Sequence, residues 1–138
     1  MKTLKQVLTD NPQYSTLINA VVRRIGMDSV NDVIQNGIGG GFHGFIYYAD
    51  TVKFWKTHRK LIMQMAKEMA DDLGEDVMQM IGGFGCLKWY DYQKNRWTDR
   101  EGQERIGGTI YGRESDDIVA NAMAWFAAEE VCRMFDDD

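Results

Sequence analysis

The feature that most constrains this chain is an apolar stripe between Asp50 and Gly74. Trp55, His58, Ile62, Met65 and Met69 fall three or four positions apart, and Phe54 and Leu61 widen the stripe. That period is one buried face of an α-helix of about six turns. Lys53, Lys56, Lys60 and Lys67 fall on another face. Asp50 or Thr51 is read as the N-cap and Gly74 as the stop. Glu68, Asp71 and Asp72 crowd the last turn. Acids there oppose the helix dipole at a cost of roughly tenths of a kcal/mol each.

The flanking segments are also mostly helical in pattern. Lys2 to Thr9 reads as a short helix with Leu4, Val7 and Leu8 on its apolar side, broken by Asp10-Asn11-Pro12. The only proline stands where a new helix begins. Leu17, Ile18, Val21, Val22 and Ile25 keep helical spacing up to Gly26. Asp28 or Ser29 caps a third helix through Val30, Val33 and Ile34, ending at Asn36-Gly37. Glu75 to Ile81 adds a further helical turn or two, and Gly82-Gly83-Phe84-Gly85 breaks it. From Cys86 to Arg113 aromatic and β-branched residues lie between turn residues, which predicts a small antiparallel hairpin with its turn at Asp99 to Gly102. Ser115-Asp116 caps a last helix whose buried stripe is Ile118, Ala122, Trp125, Ala128, Cys132 and Phe135. The expected fold is mostly α (α+β): a compact single-domain helical protein, residues 1–138, with a small antiparallel β-hairpin or sheet.

At 138 residues the length fits one domain. A composition of 44% hydrophobic and 27% charged residues argues against disorder. No apolar run approaches the roughly 18 residues needed to span a bilayer, and Met1 to Thr9 has no apolar segment of the secretory type. The expectation is a cytoplasmic protein with no membrane partner. Cys86 and Cys132 lack metal-type spacing and read as a buried reduced pair. The net charge of −5 argues against direct nucleic-acid binding. That charge is unevenly spread. Lys53 to Lys60 holds four basic residues and no acid, whereas Ser115 to Asp138 holds seven acids against Arg133 alone. Two faces of opposite sign follow.

The chemistry-bearing candidates each have a bland counterpart. Gly39-Gly40-Gly41-Phe42-His43-Gly44 resists a phosphate-loop reading, because it lacks the Gly-Lys-Ser/Thr ending and the strand that leads into such loops. A tight structural corner is preferred, with a mobile binding loop behind it. His43 is the better functional candidate of the two histidines, but no Ser or Cys nucleophile motif stands near it. His58 lies on the apolar stripe and reads as a packed core histidine. Asp50 reads as a cap rather than a catalytic acid. Glu129 and Glu130 point about 100° apart on their helix, so they do not easily share one ligand and read as a solvated face. Trp89, Tyr90, Tyr92 and Trp97 are interleaved with Lys88, Lys94 and Arg96, the pairing used for single-strand stacking. Five basic against four acidic residues from Lys88 to Arg105 is a weak polyanion site. Hairpin packing or a protein interface suits these aromatics better. No catalytic residue, cofactor or metal site is assigned.

Three segments resemble a known group of sequences: Gly39-Gly40-Gly41-Phe42-His43-Gly44-Phe45-Ile46-Tyr47-Tyr48-Ala49-Asp50-Thr51, the helix after it, and Ile118 to Val131 with its core Asn121-Ala122-Met123-Ala124-Trp125-Phe126-Ala127-Ala128-Glu129-Glu130. Together they resemble a family of small uncharacterised proteins encoded by bacteriophages and other mobile elements. The glycine-aromatic run alone also resembles plasmid antirestriction proteins. The resemblance implies a non-enzymatic anti-defence protein of the anti-CRISPR or antirestriction type. Its partner would be a host defence protein or ribonucleoprotein complex. The partner-binding candidates are Phe42, His43, Tyr47 and Tyr48 in the aromatic corner, Asp71, Asp72, Glu75 and Asp76 in the acidic cluster, and Trp89 and Tyr90. Two alternatives stand beside this: a small-ligand or nucleotide-binding protein using the Gly39–Gly44 loop, and a homo-oligomeric assembly module. The oligomeric state is left open.

Overall fold

The computed structural model describes residues 1–36, 48–74, 89–91, 96–98, 104–106, 109–110 and 113–137. The chain divides into two compact units, one formed by Met1–Asp50 with Ala127–Asp138 and the other by Thr51–Phe126.

The first unit starts with α1 (Leu4–Asp10), entered through a reciprocal cap. The Gln6 amide donates to Thr3 Oγ1 at 3.2 Å, and the Thr3 amide donates to Gln6 Oε1 at 2.8 Å. This is the Thr-x-x-Gln capping box, so the helix starts after Thr3 rather than at Lys2. Asn11 closes it, donating to the Val7 carbonyl from both its backbone and its side chain at 3.0 Å. Pro12 opens a single 3-10 turn, Pro12–Tyr14, which leads into α2 (Ser15–Ile25). Gly26 ends α2 at φ 82°, a left-handed conformation that suits glycine. Its N–H closes on the Val22 carbonyl, and its own carbonyl accepts from Val30. Gly26 therefore both stops α2 and starts α3 (Met27–Asn36), and Asp28 falls inside the first turn instead of capping it. Leu17, Ile18, Val21, Val30 and Val33 are buried on the facing sides, joined by Ala127, Val131, Cys132 and Phe135. The Lys2 amide donates to the Phe135 carbonyl at 2.9 Å and ties the two ends of this unit together.

The second unit contains nearly all of α4 (Tyr48–Leu73). Thr51, Phe54, Trp55, Ile62, Met65, Ala66 and Ala70 are buried, which places the apolar face where the period predicts. His58, Leu61 and Met69 are half-buried at its margin. The helix starts two residues before the expected cap. Asp50 lies within the first turn, and its carboxylate accepts from Arg24 of α2 at 2.9 Å. A partly exposed pair of this kind is worth roughly 0.2–1 kcal/mol. α4 is kinked at His58 (φ −114°, ψ 16°). The hydroxyl of Thr57 donates back to the Lys53 carbonyl at 2.9 Å, one residue before the break. Such back-bonds compete with the helical ladder and bend it.

α5 (Ser115–Met134) begins at the expected serine. Its burial differs from the single expected stripe. Ala122, Met123 and Ala124 are consecutive buried residues, and so are Phe126, Ala127 and Ala128, whereas Trp125 is only half-buried. Consecutive helical residues point about 100° apart, so this helix is covered nearly all round.

The expected β-hairpin is corrected. Every side chain of the described core belongs to a helix or a helix terminus, and the well-packed body contains no strand or sheet. Among the described residues between 89 and 114 the backbone pairs in steps of two or three residues. Trp89–Asp91 runs against Arg96–Thr98, Arg96–Thr98 against Glu104–Ile106, and Thr109–Ile110 against Arg113–Glu114. Ordinary strands average about 5–6 residues. The alternation of aromatics and charges matched a period of two, but Gly107, Gly108 and Gly112 leave no uninterrupted β-branched run to extend it. Among the described residues the packed core is helical, and the expected β-hairpin is not an element of it.

Candidate functional site

Two surfaces carry the charged side chains of interest. The first is the solvent face of α4. Its heptad-like line of Lys53, Lys60, Gln64, Lys67 and Asp71 is exposed along the whole helix, flanked by Lys56, Thr57 and Glu68. The order of charge along it is basic first and acidic last. Glu68, Asp71 and Asp72 are exposed at the C-terminal end, and no basic residue occupies the last turn. The dipole places partial negative charge at that end, so these acids add to it instead of offsetting it. On the margin of the face, the Arg59 guanidinium lies 5.5 Å from the centre of the Trp55 ring. The guanidinium is exposed although the indole is buried, and a cation–π contact whose cation stays in water contributes about 0.5–1 kcal/mol. The Phe54 and His58 rings are tilted against each other at 4.6 Å. Burial holds the His58 imidazole below its usual pKa, which favours the neutral ring at that contact.

The second surface is at the end of α5. Arg133 donates to Glu129 Oε1 at 2.8 Å from one guanidinium nitrogen and to Glu130 Oε1 at 3.1 Å from another. The expectation that these carboxylates diverge too far to share a ligand is corrected. The guanidinium fork spans both, because it follows them by four and three positions. The solvated-face reading is corrected as well, since their side chains are only 16% and 12% exposed. Burial raises the Glu130 pKa, Arg133 lowers it and Glu129 raises it. The Cys132 thiol beside them is fully buried, and burial together with the Glu129 charge pushes it up to about 12. A thiol held that high is not a nucleophile at neutral pH.

The sequence-derived candidates fare unevenly. Asp71 and Asp72 are exposed and adjacent at the end of α4. Tyr48 opens α4. Trp89 and Tyr90 pair through their backbones with Thr98 and Trp97. Phe42, His43 and Tyr47 lie outside the described residues, as does the whole Gly39–Gly44 corner. Glu75, Asp76, the turn at 75–81, Cys86 and the turn at 99–102 lie outside them too. Sequence reasoning missed the Glu129–Glu130–Arg133 cluster, although its i+3 and i+4 spacing was a usable signal. Among the described residues no group of three or more His, Cys, Asp or Glu side chains is placed to hold a metal ion. Among the same residues no helix is long and apolar enough to cross a membrane.

A helical protein with one long, charge-graded solvent face is the class that this architecture defines. The chain belongs to the family described as a domain of unknown function, DUF7222, whose model matches residues 17–138. No curated protein and no solved structure matches it.

Proposed function

We propose that this is a non-enzymatic binding protein of the bacteriophage anti-defence kind, which inhibits a host nucleoprotein complex of the CRISPR or restriction type in the bacterial cytoplasm. The acidic end of α4 is the contact surface, through Asp71 and Asp72 and, beyond the described residues, Glu75 and Asp76. The observation that carries this reading is the exposure of acids at a helix end where they weaken their own helix. Groups kept at a cost to stability suit an external role, and exposed carboxylates suit a cationic, nucleic-acid-binding channel. The resemblance of the Gly39–Thr51 and Ile118–Val131 segments to phage-encoded proteins supports the choice of target. The test is protection of incoming phage DNA in cells that carry a CRISPR or restriction system. The wild-type chain is expected to protect, and the variant with Asp71, Asp72, Glu75 and Asp76 all changed to Lys is expected to fail while keeping its helical circular dichroism. Undiminished protection by the folded variant refutes the acidic-surface reading.

A further inference from the structure

The charge order on α4 has a second consequence, independent of any host target. Lys53, Lys60, Gln64, Lys67 and Asp71 recur at spacings of seven, four, three and four, which keeps them on one line of the helix. All five are exposed. Lys53, Lys56 and Lys60 at one end and Asp71 and Asp72 at the other make no ion pair with any described residue. Lys53 and Asp71 stand about 27 Å apart along the axis, too far to pair with each other within one chain, although Lys67 lies one turn before Asp71.

We propose that α4 is a self-association surface whose occupant is α4 of a second copy of this chain, laid antiparallel about a two-fold axis. Running the helix against itself with the axis near Ile62 sets Lys53 opposite Asp71, Lys60 opposite Gln64 and Thr57 opposite Lys67. Each copy supplies one basic and one acidic end, so every such pairing occurs twice, as an isologous interface requires. The parallel arrangement sets Lys53 against Lys53 and Asp71 against Asp71, and like-charge contact excludes it. The large apolar residues of α4 are turned inward except Leu73, exposed at its C-terminal end, so the contact is largely polar and its affinity is modest.

Sedimentation equilibrium of the full chain tests this. The wild type is expected to form a dimer that weakens at least tenfold when salt rises from roughly 50 to 500 mM. K53E with K60E gives a face of mostly acidic character, and D71K with D72K gives a basic one. Each variant alone is expected to be monomeric, and their equimolar mixture is expected to form a one-to-one dimer. A wild type and a mixture that both stay monomeric overturn the proposal. So does a dimer whose dissociation constant the reversals leave unchanged. The variant K53E with K60E keeps both acids, which the inhibitory contact shares with this face, so loss of its dimer with retained phage protection separates self-association from inhibition.

Discussion

α4 and α5 are the two longest helices among the described residues, at 26 and 20 residues, and they are buried in different ways. α4 has one buried face and one exposed, charged face along its length. α5 is buried on nearly every side from Ala120 to Cys132. The difference lies in side-chain size. α4 buries Phe54, Trp55, Ile62 and Met65, whose bulk makes a clear stripe. α5 buries five alanines around Met123 and Phe126, and alanine lets neighbouring backbones approach closely while scarcely marking a face. α4 thus has surface to offer a partner, and α5 has little until Glu129, Glu130 and Arg133.

The contrast is broken most sharply by truncating the α5 core. Phe126→Ala is expected to cost about 3–5 kcal/mol, read by urea denaturation, because the side chain is fully buried. A loss below about 1 kcal/mol refutes the claim that α5 is central. Overpacking is the next largest effect. Ala124→Leu is expected to destabilise by about 1–3 kcal/mol, while Gln64→Leu on the open face of α4 stays within roughly 0.5 kcal/mol. Equal costs at the two sites erase the distinction between the helices.

A third change has the opposite sign. Asp71→Lys and Asp72→Lys are each expected to stabilise the fold by roughly 0.3–1 kcal/mol, since they place cations where the dipole favours them. Thermal unfolding at low salt reads this, and a lowered melting temperature refutes the dipole argument. Stabilisation combined with lost phage protection would mark these acids as kept for function.

The smallest expected effect is a pH dependence at the end of α5. The folded-state pKa of Glu130 is raised, so the native state holds a proton that the unfolded chain has already released. Its contribution to stability therefore falls as pH rises from the ordinary glutamate range toward the raised value. Glu130→Gln lacks this term. Its stability relative to wild type is expected to increase with pH across that window, measured by urea titration at several pH values. A flat difference refutes the assignment.

The legible elements were those whose signals are local. The period of α4, the breaks at Pro12 and Gly26 and the start of α5 at Ser115 all stand in the sequence as spacing or backbone chemistry. The errors have physical causes too. Asp50 read as a cap because nothing local announces Arg24 as its partner. The stretch from Cys86 to Arg113 satisfied a period of two without the uninterrupted run that a strand of ordinary length needs. Of the candidate site, only Asp71 and Asp72 were both readable and placed: both are exposed in the last turn of α4, and Asp71 sits opposite the apolar face.

By itself, then, the sequence determined the helical class and the solvent face of α4, because both rest on periodicity and the dipole of a single helix. Only the tertiary structure decided that α5 is enclosed and that Glu129 and Glu130 are drawn together by Arg133 in a mostly buried setting. Burial depends on what the rest of the chain lays over a residue. For an alanine-rich helix, no local pattern carries that information.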